Sequence, residues 1–129
     1  MIKLTFCLKR KPGLSLEAFQ DYWRNNHAPL VAKHKEVLGI RRYVQCHARP
    51  SDADSPMRAA RAGGLENAPE TYDGVAELWF DSFESLAANG ANPKAAEAGR
   101  ALLEDEAKFI DLANSPLWFG EEYEVVNEL

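Results

Sequence analysis

The groups in this 129-residue chain that could carry chemistry are few: three histidines, two cysteines and a scatter of carboxylates. His27 is the sharpest of them. It stands four residues after Trp23 and four before Val31, so on a helix the three share one apolar face. A titratable ring in such a stripe is either a core histidine with both nitrogens bonded or a site residue. Pro29 bears on the choice, because it removes a backbone donor and crowds the preceding turn, bending the helix and freeing carbonyls next to the ring. An imidazole held there in one tautomer through one nitrogen can offer the other to a ligand. Its ordinary pKa near neutrality suits general acid or base work.

The other candidates are weaker. His34 falls at the end of the same helix, where a solvated histidine interacts with the dipole. His47 lines up with Tyr43 and Gln45 on one face of a strand, and both a cavity wall and a plain cross-strand surface are open for that face. Glu77 shares a strand face with Trp79. Burial between apolar neighbours would raise its pKa and make it an acid or base, whereas an ion pair with Arg41 or Arg42 would make it structural. Asp105-Glu106 reads as a solvated charge pair, unless the helix face that Asp105 shares with Phe109 touches the sheet. Cys7 and Cys46 read as free thiols, too few for a disulfide scaffold. With His47 they lack the short spacing of a zinc site, so no metal and no cofactor is expected. No glycine-rich phosphate loop, no His-x-x-x-His pair and no nucleophile elbow occurs.

The elements that must position these groups follow from hydrophobic periodicity. Residues 2–9 alternate with period two, placing Ile2, Leu4, Phe6 and Leu8 on one strand face. Pro12-Gly13 breaks the strand, and Ser15 caps a helix that runs to about residue 34, split just before the Ala28-Pro29 bond. Strands are expected at 40–48, 74–81 and 117–126. A short helix starts at Asp81 or Ser82, and a longer one starts at Asn92-Pro93 and runs to about Ala113. Residues 49–73, rich in Pro, Gly and small residues, form a connection longer than most in a compact domain.

The order strand, helix, strand, strand, helix, strand is that of the ferredoxin-like βαββαβ unit, an α+β fold with a four-stranded antiparallel sheet and both helices on one face. The chain is of single-domain length, 1–129. The second sheet face must then be wet or paired. Tyr43, Trp79 and either Trp118 or Phe119 are its candidate aromatics, and large exposed aromatics predict a homodimer with two sheets face to face. A balance of 15 basic against 20 acidic side chains, net −5, argues against nucleic acid as a partner. No apolar run approaches a membrane span, and no signal peptide opens the chain, so a cytoplasmic protein without membrane contact is expected.

The stretches Phe6-Cys7-Leu8-Lys9-Arg10-Lys11-Pro12-Gly13-Leu14-Ser15, Phe19-Gln20-Asp21-Tyr22-Trp23 and His27-Ala28-Pro29-Leu30 together resemble the EthD domain family. Tyr72 to Phe80 and Asp105 to Asp111 agree with it. The resemblance implies the dimeric α+β barrel superfamily, in which two ferredoxin-like sheets close into a barrel and each subunit holds a cleft between helices and sheet. It implies that His27, matching the histidine of the His-Ala-Pro motif, carries the chemistry, with Phe6, Trp23 and Phe109 as cleft wall. Together with Tyr43, Glu77 and Trp79 from the strand reading, these form the expected ligand-binding set. The activity implied is a cofactor-free dehydratase, cyclase or isomerase acting on a small hydrophobic aromatic or carbonyl compound. A non-catalytic small-molecule-binding or stress-related dimer is the alternative, and haem binding or breakdown, which relatives on this barrel perform, is the lesser one.

Overall fold

A computed structural model of the chain describes residues 1–62 and 70–129. Strand β1 (Ile2–Leu8) leads to α1 (Leu16–Tyr22), a π-helical turn (Trp23–His27), α2 (Ala28–Lys33) and α3 (Lys35–Leu38). Strand β2 (Arg42–His47), helix α4 (Ser55–Ala62), strand β3 (Gly74–Phe80), helices α5 (Phe83–Gly90) and α6 (Pro93–Glu106) and strand β4 (Leu117–Gly120) complete the order. The strands form one antiparallel sheet in the order β2-β3-β1-β4, the ferredoxin-like arrangement expected from the sequence.

The caps do what their chemistry dictates. The Ser15 hydroxyl accepts from the Ala18 amide at 3.0 Å, Ser82 and Ser85 form a reciprocal capping box, and Asn92 caps α6 with Pro93 behind it. Upstream of Pro29 the helix widens instead of simply kinking. The Ala28 amide reaches back to the Trp23 carbonyl, five residues earlier, and such π turns are rare and concentrate at functional sites. Gly39, at φ 73°, ends α3 in a left-handed conformation that glycine adopts without cost.

Two element ends differ from the sequence expectation, each for a physical reason, and the long connection holds a helix. Helix α6 stops at Glu106, not near Ala113, because the chain turns to pair with the end of β1: the Lys11 amide donates to the Phe109 carbonyl and the Asp111 amide to the Lys9 carbonyl, both at 2.9 Å. Strand β4 ends at Gly120, not 126, because Gly120 already faces Lys3 and β1 has almost no residues left to pair. The connection 49–73 contains α4, while residues 63–69 lie outside the described residues.

Register sorts the side chains. Leu4, Phe6 and Leu8 of β1 face the helices, with Ala76 and Leu78 of β3, Tyr43, Gln45 and His47 of β2, and Leu117 and Phe119 of β4. Lys3, Thr5, Cys7, Arg42, Val44, Cys46, Val75, Glu77, Trp79 and Trp118 take the outer face. Tyr43 therefore does not belong to the outer face, where the sequence reading put it. Trp79 does, but it is only 7% exposed, roofed by Arg42 at 4.4 Å from its ring and hydrogen-bonded to Glu122. The core is Phe6, Leu8, Phe19, Trp23, Ala76, Phe109 and Ile110. In it Phe19 stacks at 5.7 Å on Trp23 and at 5.6 Å on Phe109, tilted contacts that add to the burial of large rings.

Candidate active site

Between the helices and the sheet lies an apolar cavity of about 250 Å³. Leu4, Phe6 and Leu8 of β1, Leu78 of β3 and Leu102 of α6 form much of its wall, with Trp23 and Val31 at the helical side. Only His27, Tyr43 and Glu106 bring polar side chains to it among the described residues.

His27 ends the π turn, where the widened backbone rotates its ring toward the last turn of α6. Its Nδ1 lies 2.7 Å from Oδ2 of Asp105, and its ring packs at 5.1 Å on Phe109 behind it. Asp105 is itself buried, and its Oδ1 accepts from the Tyr22 hydroxyl at 2.6 Å. Burial pushes the Asp105 carboxyl up, but the Tyr22 hydroxyl and the His27 ring outweigh it and hold the pKa below its ordinary value. The same contact lifts Tyr22 to about 12. Burial lowers the His27 pKa more than the neighbouring carboxylate raises it. At neutral pH the ring is therefore neutral. Its proton sits on Nδ1, donating to Asp105, and Nε2 is an open acceptor with no hydrogen-bond partner among the described residues. This is an imidazole whose tautomer is fixed by a buried carboxylate, itself held by a tyrosine, an arrangement able to accept a proton at Nε2.

Glu106 follows Asp105 on the helix but turns to the cavity, where burial and then the Asp105 charge raise its pKa to about 7. Tyr43 is raised as well, chiefly by burial. Its oxygen accepts from Gln45 Nε2 at 2.8 Å, and the same amide donates to the Trp23 carbonyl at 3.0 Å, beside the bond that carbonyl takes from the Ala28 amide. His47 closes this chain, bonding Gln45 Oε1 at 2.8 Å and stacking on Trp23 at 4.3 Å.

Of the ligand-binding set expected from sequence, the fold brings Phe6, Trp23 and Tyr43 to the cavity beside His27. Phe109 stands behind the His27 ring, 1% exposed, and supports it without lining the wall. Glu77 and Trp79 sit on the opposite face of the sheet, because β3 alternates and the apolar partners of that strand face the helices. There Glu77 pairs with Lys3 at 2.5 Å, not with Arg41 or Arg42. Cys7 and Cys46 lie on the outer face while His47 faces the helices, so the three do not converge.

Sequence reasoning missed Asp105 as the partner of His27 and Glu106 as a cavity residue. The signal for Asp105 was present. Ala95, Ala98, Leu102, Asp105 and Phe109 recur at spacings of three and four, so the carboxylate belongs to a buried stripe. The signal for Glu106 is of the same kind: it stands four residues after Leu102 and four before Ile110, both of which reach the cavity, although its direct neighbours Asp105 and Ala107 do not mark it.

Comparison with known proteins places the chain. It matches the EthD domain family over residues 11–113 and belongs to that family. It is 28% identical over 120 residues to the conidial pigment biosynthesis dehydratase EthD of Metarhizium robertsii, covering 93% of this chain and 81% of that one. It is 30% identical over 111 residues to the dehydratase ustZ of Ustilaginoidea virens, covering 86% and 76%. Among solved structures it is similar to an ethyl tert-butyl ether d (EthD) family protein from Bacillus halodurans, with TM-score 0.58, 23% identity and coverage of 95% of this chain and 100% of that one. It is also similar to a dimeric protein of unknown function with a ferredoxin-like fold from Bacteroides fragilis, with TM-score 0.55, 13% identity and coverage of 94% and 95%. Among the described residues no helix is long and apolar enough to cross a membrane.

Proposed function

Taking membership of the EthD family as the premise, we propose that this chain is a small acid–base enzyme of dehydratase type. It acts on a small hydrophobic aromatic or carbonyl compound, and His27 is the group that moves the proton. One observation carries the reading: a buried carboxylate holds Nδ1 of His27 at 2.7 Å while the ring lines an apolar cavity with Nε2 unpaired. A merely structural histidine would have both nitrogens satisfied inside a closed core. The cavity, at about 250 Å³, falls just below the roughly 300–1,000 Å³ of pockets that take drug-sized molecules. That suits a compact substrate and disfavours a porphyrin. The names of the two fungal relatives support the reaction class.

The active form is a homodimer in this proposal. A ferredoxin-like relative described as dimeric supports it, as does Trp118, half-exposed on the outer sheet face. Sedimentation at micromolar concentration is expected to give twice the monomer mass, and Trp118→Lys to give the monomer. A wild-type monomer overturns the dimer.

The catalytic test uses a panel of aryl-substituted β-hydroxy ketones, with loss of water followed as the absorbance of the conjugated product. His27→Ala should lower the rate by a factor of about 10²–10⁴ with an unchanged circular dichroism spectrum. An unchanged rate in a folded variant removes His27 from the mechanism.

A further inference from the structure

Resting on the dehydratase reading, we propose that Glu106 is the acid that protonates the departing hydroxyl, paired with His27 as base and with Tyr43 holding the carbonyl oxygen, so that the substrate is a β-hydroxy carbonyl compound.

The cavity wall is apolar except at His27, Tyr43 and Glu106, and each of the three is prepared for a different part. His27 cannot be the acid, because its one proton is committed to Asp105 through Nδ1 and Nε2 presents a lone pair. The Glu106 carboxyl makes no hydrogen bond or ion pair among the described residues: Lys108, two residues on, turns to Asp105 at 3.6 Å, and Lys11 donates to the Ala107 carbonyl at 3.1 Å. No described side-chain polar atom is both fully buried and without a hydrogen-bond partner. The Glu106 carboxyl is thus open to the cavity and not walled in. The groups around it are the Asp105 carboxylate on its own helix, the Tyr43 phenol from β2 and the neutral His27 ring from the π turn. None of them stabilises a negative charge as a cation would, so a large share of Glu106 carries its proton at neutral pH, when its pKa stands at about 7. Tyr43 is set as a donor, because its oxygen already accepts from Gln45 at 2.8 Å, leaving its own proton for a ligand.

The elimination balances on these groups. Nε2 of His27 takes the proton from the carbon next to the carbonyl, and the electron pair moves onto the carbonyl oxygen, which accepts from the Tyr43 hydroxyl. As the enolate collapses, the carbon–hydroxyl bond breaks, Glu106 gives its proton to the leaving oxygen, and water and a conjugated carbonyl compound result. The enzyme is left with an imidazolium and a carboxylate, and transfer of the proton from Nε2 to Glu106 restores both.

The test compares two leaving groups. One probe is the aldol adduct of benzaldehyde and acetone, a β-hydroxy ketone, and the other is its β-acetoxy counterpart, whose acetate departs without a proton. Glu106→Gln should slow loss of water by about 10²–10⁴-fold while the acetoxy ketone still eliminates near the wild-type rate. His27→Gln should lose both. In the pH profile of wild type with the hydroxy ketone, the alkaline limb near the Glu106 pKa of about 7 should vanish in Glu106→Gln. A Glu106→Gln variant that slows both probes equally, or neither, overturns the role of Glu106 and leaves that of His27 standing. A wild-type protein that eliminates neither leaving group brings down the dehydratase reading itself.

Discussion

Each face of the sheet sets a glutamate among large apolar side chains, and the two are treated in opposite ways. Glu77 on the outer face takes the Lys3 ammonium at 2.5 Å, in a cluster where Glu122 also reaches Lys3 at 3.3 Å and Arg42 covers the Trp79 ring. Lys3 is held more basic by that contact, above all by its hydrogen bond to Glu77. Glu106 on the helix side has no cation in ion-pair reach among the described residues, and after burial it is the carboxylate of the preceding residue that raises its pKa. The outer cluster is a closed electrostatic account among partners on neighbouring strands. On the helix side the charge is concentrated on Asp105, which two donors stabilise, and the proton stays on Glu106. What makes a carboxylate an acid is thus the absence of a partner at the end of its side chain, not the hydrophobicity of its sequence neighbours.

The largest effect that would sharpen this contrast is expected at Asp105, a positioning residue that acts through His27. In Asp105→Asn the amide can keep Tyr22 through its oxygen and turn its nitrogen to Nδ1, moving the imidazole proton to Nε2. The catalytic rate constant should fall by about 10²–10⁴-fold, as when the carboxylate behind a catalytic histidine is lost, with KM little changed. Nitrogen NMR of the ring should show the tautomer switched. A retained tautomer with a retained rate would break the assignment.

Next comes the stability of Glu106→Gln. A carboxyl raised from 4.5 to about 7 on folding favours the folded state fully below pH 4.5, and that contribution is lost as pH rises to about 7. Removing the charge should therefore stabilise the protein above pH 7 by on the order of 2–3 kcal/mol and do little at pH 4. Chemical denaturation at the two pH values measures the difference, and equal effects at both would contradict it.

Tyr22→Phe removes one of the two donors to Asp105. It should cost about 1.5 kcal/mol, read from the same denaturation curves, and raise the Asp105 pKa. The smallest effect belongs to the outer face. Glu77→Gln should cost under about 1 kcal/mol and less still in high salt, so the two glutamine variants have opposite signs at alkaline pH. Equal signs would mean that the faces do not differ as described.

Much of this was legible along the chain. Period-two alternation marks β1, and the caps Ser15, Ser82 and Asn92 mark helix starts that the structure reproduces. The apolar spacing of Trp23, His27 and Val31, read with Pro29, singled out the imidazole and the disturbed helix beside it. These are local properties, fixed by residues within a turn or two of one another. The face of β3 was less legible, because Glu77, Trp79 and Val75 look as suitable for a cleft as Ala76 and Leu78 do, and a strand offers both sets equally.

The sequence by itself determined the elements, the ferredoxin-like order and a histidine placed where a helix must deform. Tertiary structure alone decided which carboxylate meets that histidine and which is left with its proton. Asp105 lies 78 residues from His27, and Lys3 lies 74 from Glu77. The energy of a charge depends on the dielectric and the partners within a few ångströms, and only the folded chain brings those together.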